Sequence, residues 1–201
     1  MPNSFGRPDS VRQRGVAIQA WARHRGWQFQ FGHRPDVSGL FAGLKLVGDG
    51  LLPDLRRRGV DHQHATSMVV FGTTGGLHTV VCELVTTASG QDYHNSVAVV
   101  TLPMPVPLLH VEPRRSAGVR RGAPVPERFF ATFAVRTSDP AFRTRMLTPG
   151  LMGWLVGHSE HQCPPGVRFD THRLIYWQYQ PLVPYWADSV VAYLPRMATG
   201  T

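Results

Sequence analysis

Between Ser67 and Leu102 the chain carries three runs rich in β-branched and aromatic residues, Ser67–Phe71, Leu77–Thr86 and Tyr93–Leu102. The segments joining them, Gly72–Gly76 and Ala88–Asp92, are five residues each. A parallel pair needs a crossover of about a dozen residues or more, so connections this short permit only antiparallel pairing. The middle of the chain is therefore a β-meander, and everything else must cover it.

The flanking segments supply that cover. Asp9 or Ser10 caps a helix in which Val11, Ile18, Trp21 and Ala22 recur at helical spacing, and Gly26 supplies a left-handed stop. Trp27–Phe31 then alternates aromatic and polar residues, the pattern of a strand with one buried face. Val37, Leu40, Phe41 and Leu44 suggest a turn of helix within Pro35–Leu46. Beyond the meander, Pro103, Pro105 and Pro107 are expected to end the third strand, leaving Leu108–Val111 as a short edge strand. Phe129–Val135 alternates again. In Ser138-Asp139-Pro140 and Leu147-Thr148-Pro149 a polar cap precedes proline at the first helical position, predicting helices over Pro140–Met146 and Pro149–Val156. Val167–Asp170 and Arg173–Tyr179 form a hairpin, and Leu182–Leu194 a final amphipathic helix. Strands followed by helices, without strict alternation, give an α+β fold: a mostly antiparallel sheet, meander plus C-terminal hairpin, with helices packed on one face.

With 201 residues and 17% charged residues, the chain fits one folded domain, over 9–197, preceded by a flexible tail at 1–8 and interrupted by an exposed Arg/Pro-rich loop at 112–127. No apolar run approaches the ~20 residues of a spanning helix. Cys82 and Cys163 lie 81 positions apart and no basic leader with an apolar stretch opens the chain, which sets the expectation of a reducing, cytoplasmic location.

The formal charge is +8, from 21 basic and 13 acidic residues, and Lys45 is the only lysine. The excess is thus arginine, charged at every physiological pH. Arg7, Arg12, Arg14, Arg23 and Arg25 lie near the start, Arg56, Arg57 and Arg58 form a triplet, and Arg114, Arg115, Arg120 and Arg121 form two pairs. The last two groups are candidates for binding an anionic partner, nucleic acid or an anionic membrane surface. The competing reading is a solvated surface that keeps the protein soluble.

Titratable groups concentrate in His158-Ser159-Glu160-His161-Gln162-Cys163. His158, His161 and Cys163, with His62 or His64 beside Asp61, form a candidate zinc site, although neither paired CxxC nor HExxH spacing is present. Histidine near a helix end also complements the helix dipole. Cys163 has His neighbours but precedes Pro164–Pro165, away from any helix amino terminus that would activate a thiol, and Cys82 reads as a small core residue. Ser67, Ser89, Ser96 and Ser159 lack a GxSxG elbow. Gly72-Thr73-Thr74-Gly75-Gly76 reads as a hairpin turn, because it joins two strands and lacks the Lys-Ser/Thr ending of a phosphate cradle. Glu83 is expected to alternate outward from its strand, leaving paired-carboxylate chemistry without candidates. Tyr176 and Trp177, on opposite sides of a strand, read as core and not as a base-stacking platform.

Several segments, Ala20–Trp27, Val97–Pro113, Phe133–Phe142 and Leu147–Pro149, resemble a family of uncharacterised actinobacterial proteins with soluble and membrane-linked members. The resemblance spans Val11–Pro195. Its motifs are caps, proline-marked strands and core aromatics, so it implies a single α+β domain and an actinobacterial source and transfers no site residue. Asp49–His64 and His158–Cys163 depart from the pattern. Together these features favour a non-enzymatic cytoplasmic protein-interaction module, an accessory subunit of a larger membrane-associated complex, with another protein as partner and no cofactor. A metal-dependent enzyme or metal sensor using the His/Cys loop, and a nucleic-acid-binding protein using the arginine clusters, are the alternatives.

Overall fold

In the computed structural model, which describes residues 8–32, 63–88, 91–114, 122–159 and 164–200, the first element is helix α1, Pro8–His24. Gly26, at φ 68, turns the chain out of it, as the sequence predicts. Strands β1 (Gln28–Phe31), β2 (Gln63–Thr74), β3 (Leu77–Ala88) and β4 (Gln91–Pro113) follow. Then come α2 (Val125–Thr132), β5 (Phe133–Thr137), α3 (Pro140–Met146), α4 (Pro149–Ser159), β6 (Gly166–Gln178) and α5 (Pro184–Thr199). The six strands form one antiparallel sheet in the order β1-β2-β3-β4-β5, with β6 paired to β4. The fold is α+β with an antiparallel sheet, the class read from the sequence.

The first meander turn lies within the predicted Gly72–Gly76, while Ser89 and Gly90 of the second lie outside the described residues. Gly75 and Gly76, at φ 54 and 77, make the β2–β3 turn, a backbone that only glycine adopts without strain. The hairpin expected near residue 171 is also present. Gly166 and Trp177 would stand about 36 Å apart in a straight strand. A Cβ on Gly166 would instead fall 2.0 Å from the Trp177 ring, so β6 doubles back, and Thr171, at φ 53, marks the reversal.

Three local expectations change. The prolines do not end the third strand; β4 continues through them to Pro113, and Leu109–Pro113 pairs with Thr137–Phe133 of β5. Pro103, Pro105 and Pro107 occupy alternate positions, so their missing donors all fall on one edge of the strand. Arg114 N–H donates to Thr132 and Leu108 accepts from Ser138, which shows that the even-numbered residues face β5. Phe129 is not in a strand. It belongs to α2, which begins inside the expected 112–127 loop, and its ring lies 5.1 Å from that of Phe133. The aromatic face of β1, finally, expected to be buried, is only partly so: Phe29 is half-buried and Phe31 half-exposed. The segment Pro35–Leu46 lies outside the described residues.

The chain divides into two compact units, and β2, β3, β4 and α5 contribute to both. The first comprises the described parts of Met1–Gly72, Val80–Val97 and Tyr179–Asp188. Here α1 lays Ile18, Trp21 and Ala22 into the core. The Trp21 and Trp27 rings meet edge-on at 5.5 Å, and a Cβ on Gly72 would sit 2.0 Å from the Trp27 ring. Trp21 Nε1 and Arg25 both donate to Asp188 at the start of α5. Val80–Leu84 are consecutively buried, so both faces of β3 are covered at that point.

The second unit comprises the described parts of Thr73–Thr79, Ala98–Gln178 and Ser189–Thr201. Asp139 caps α3 by accepting from the N–H groups of Ala141 and Phe142, at 2.8 and 3.1 Å, and Thr148 Oγ1 accepts from Leu151 at the start of α4. The Phe142 ring meets Phe169 of β6 edge-on at 5.6 Å. Fully burying side chains of this size contributes roughly 1.5–3 kcal/mol each.

Candidate functional site

The most concentrated polar chemistry among the described residues lies inside the first unit, around Glu83. Its carboxylate is fully buried on β3. Ser67 Oγ on β2 donates to it at 2.7 Å, the backbone N–H of Leu182 at 2.7 Å, and Arg14 Nη2 on α1 to both oxygens at 3.1 and 3.2 Å. His94 Nδ1 on β4 stands 3.2 Å from Oε1 and 3.4 Å from Arg14 Nη2, and bonds to the carboxylate only where that nitrogen is the donor. Burial alone would push the Glu83 carboxyl up. The hydrogen bonds from His94 and Ser67 and the Arg14 charge outweigh burial and hold it below the ordinary glutamate value.

A carboxylate so fully engaged is a weak base. It joins β2, β3, β4, α1 and the approach to α5, with Arg14 neutralising its charge. Nε2 of His94 has no hydrogen-bond partner among the described residues, but the side chain is 5% exposed. The Glu83–His94 pair thus has the parts of a general base and no path to a substrate.

In the second unit, His110 and Glu112 on β4 share one face with Arg136 on β5. Arg136 Nη2 is 2.8 Å from Glu112 Oε1, and His110 Nε2 is 3.9 Å from Oε2. Burial pushes the His110 pKa down and outweighs Glu112, with Arg168 and Arg136 adding to the shift, so the ring is neutral at pH 7. On β6, Arg168 pairs with Asp170 at 2.8 Å.

The sequence candidates separate. His158 lies in the last turn of α4, which runs to Ser159 and so beyond the expected Val156. Its Nδ1 is 2.9 Å from the Trp154 carbonyl and its Nε2 3.1 Å from Ser189 Oγ. Its ring lies tilted against Trp154, centroids 4.0 Å apart, and Trp154 in turn lies parallel to Tyr193 at 4.6 Å. His158 is thus built into the packing of α4 on α5. His64 is the second residue of β2. His62, His161 and Cys163 lie outside the described residues, as do Asp61 and Glu160. Among the described residues no three His, Cys, Asp or Glu side chains gather as a metal site. Arg114 follows β4 and donates its Nε to the Phe133 carbonyl at 3.0 Å, while Arg56, Arg57, Arg58, Arg115, Arg120 and Arg121 lie outside the described residues.

Other groups have packing roles. Cys82 is fully buried, and desolvation pushes its thiol far up, so it is no nucleophile. Ser96 Oγ donates to the Gln180 carbonyl and Ser159 Oγ to that of Val156. Tyr176 and Trp177 are both buried. The group that sequence reasoning missed is Glu83, which strict alternation placed outward. The available signal was its position within Val80-Val81-Cys82-Glu83-Leu84-Val85, an apolar run that reads as a strand covered on both faces.

No protein-family model matches the chain, and no curated protein matches it. Its fold resembles the crystal structure of the mycobacterial trehalose monomycolate transport factor A, TtfA, with a TM-score of 0.56 at 10% sequence identity. The correspondence covers 94% of each chain. Among the described residues no helix is long and apolar enough to cross a membrane.

Proposed function

We propose that this chain is an accessory subunit of a membrane-associated transport assembly, acting at the cytoplasmic face by binding a protein partner and carrying out no chemistry of its own. The observation that carries the reading is the likeness to a transport factor over 94% of both chains. The described polar groups agree with it. Glu83 and Arg14 are spent on holding elements together, and His158 on packing two helices.

The test is capture of the full-length tagged chain from detergent-solubilised membranes of its source cells. The expected result is co-elution, near one to one, with an integral membrane transport protein. A chain recovered at monomer mass from both membrane and soluble fractions, with no stoichiometric partner, overturns the reading.

A further inference from the structure

Helix α1 sorts its arginines by role. Arg14 is spent on Glu83 inside the first unit. Arg12 and Arg23 are exposed, and neither forms a hydrogen bond or ion pair among the described side chains. Eleven residues at 100° each bring them to within about 20° of each other around the helix, roughly 16 Å apart along its axis. Beside and between them on the same face stand Val16, 62% exposed, and the exposed Gln19 and Ala20. Phe31, 50% exposed, flanks this face on the side of Gly15. Its ring lies so close that a Cβ on Gly15 would fall 2.0 Å from it. No carboxylate occurs from Val11 to His24.

Asp9, in the first turn of α1, is the one carboxylate of the helix; beyond it this face combines cations with aliphatic and amide surface. We infer that the outer face of α1, through Arg12, Arg23, Val16 and Phe31, docks on an anionic lipid bilayer surface. Charge complementarity requires a negative partner. The apolar part is one valine, alanine and half a phenylalanine ring, well short of the roughly 800 Å² per partner and the aromatic core of a stable protein interface. Nucleic acid would satisfy the arginines, but Phe31, packed against Gly15, is the one aromatic ring on this face among the described residues and makes no run of stacking surfaces for successive bases. A fluid bilayer meets both needs: phosphates arrange themselves to any arginine spacing, and the acyl boundary receives Val16 and Phe31. The contact adds lipid to the protein partner proposed above and is tested without that partner.

The probe is co-sedimentation of the purified full chain with vesicles of phosphatidylcholine alone, or with about 30% phosphatidylglycerol, near 0.1 M salt. Binding is expected only to the anionic vesicles. Arg12→Gln/Arg23→Gln should weaken it roughly thirtyfold, at about 1 kcal/mol for each arginine. The Lys pair at the same positions should retain it, and Arg143→Gln/Arg145→Gln on α3 of the second unit should leave it unchanged. Equal binding to both vesicles, unaltered binding of the Arg12/Arg23 variant, or an equal loss in the α3 variant overturns the proposal. So does failure to bind either vesicle; where the Arg12/Arg23 variant then also loses a captured protein or nucleic acid, the face is an interface of that other kind.

Discussion

Thr74 Oγ1 donates a hydrogen bond to the carbonyl of Val191 at 3.1 Å. In an uninterrupted helix that carbonyl would accept from the N–H of residue 195, but position 195 is proline, inside α5. The β2–β3 turn supplies the donor that the helix lacks. It does so at close range, since a Cβ on Gly75 would lie 2.9 Å from Pro195. Thr74→Val should therefore cost about 1 kcal/mol in the wild-type background. In Pro195→Ala, where the backbone N–H restored at that position can take over the Val191 carbonyl, the same change should cost close to nothing. Urea denaturation of the four proteins gives the coupling, and equal costs in both backgrounds would show that the Thr74 bond does not replace the helical one.

Glu83→Gln should be among the most destabilising single changes in the first unit, by roughly 3–5 kcal/mol, because it leaves the Arg14 guanidinium largely buried without its counter-charge. The pH dependence has a defined sign. The folded carboxyl lies below its unfolded value, so between the two values the unfolded chain binds more protons. The Glu83 contribution is thus complete above the unfolded value, near pH 4.5, and is lost as pH falls through the folded one. Denaturation midpoints measured from pH 7 to pH 3 should fall more steeply in the wild type than in Glu83→Gln. Parallel curves would mean that the carboxylate is not held as the geometry implies.

Where local chemistry admits one solution, sequence and structure agree: Asp139-Pro140 starts a helix, Gly75-Gly76 turns a hairpin, and β6 reverses near Thr171. Where one pattern admits two structures, tertiary packing decides. Phe129, Ala131, Phe133 and Val135 alternate like a strand, yet Phe129 and Thr132, three apart, are buried together on α2. Alternation also misplaced Glu83, because it assumes that one sheet face is wet, and β3 is covered on both. The partners of Glu83 come from residues 14, 67, 94 and 182, a convergence that no local pattern encodes.

Asp139→Ala removes a cap that holds two backbone donors of α3. A loss of about 1 kcal/mol is expected, with Asp139→Asn close to wild type. Thermal denaturation would reveal it, and an Asn variant as unstable as the Ala variant would assign the effect to charge and not to capping.

Two glycines of the second unit should respond in opposite directions to the same change. At Gly166 a Cβ would fall 2.0 Å from the Trp177 ring, itself 2% exposed and unable to retreat without displacing core neighbours. Gly166→Ala should cost about 1–3 kcal/mol, the range for overpacking. At Gly157, inside α4, a Cβ meets nothing within 4 Å among the described residues. Alanine there removes the backbone-entropy cost of glycine in a helix and should stabilise by about 0.5–1 kcal/mol. Chemical denaturation of both variants, with tryptophan fluorescence reporting the surroundings of Trp177, checks the pair. A neutral Gly166→Ala would mean that the indole is free to move aside, and that the two arms of β6 are not locked by this contact.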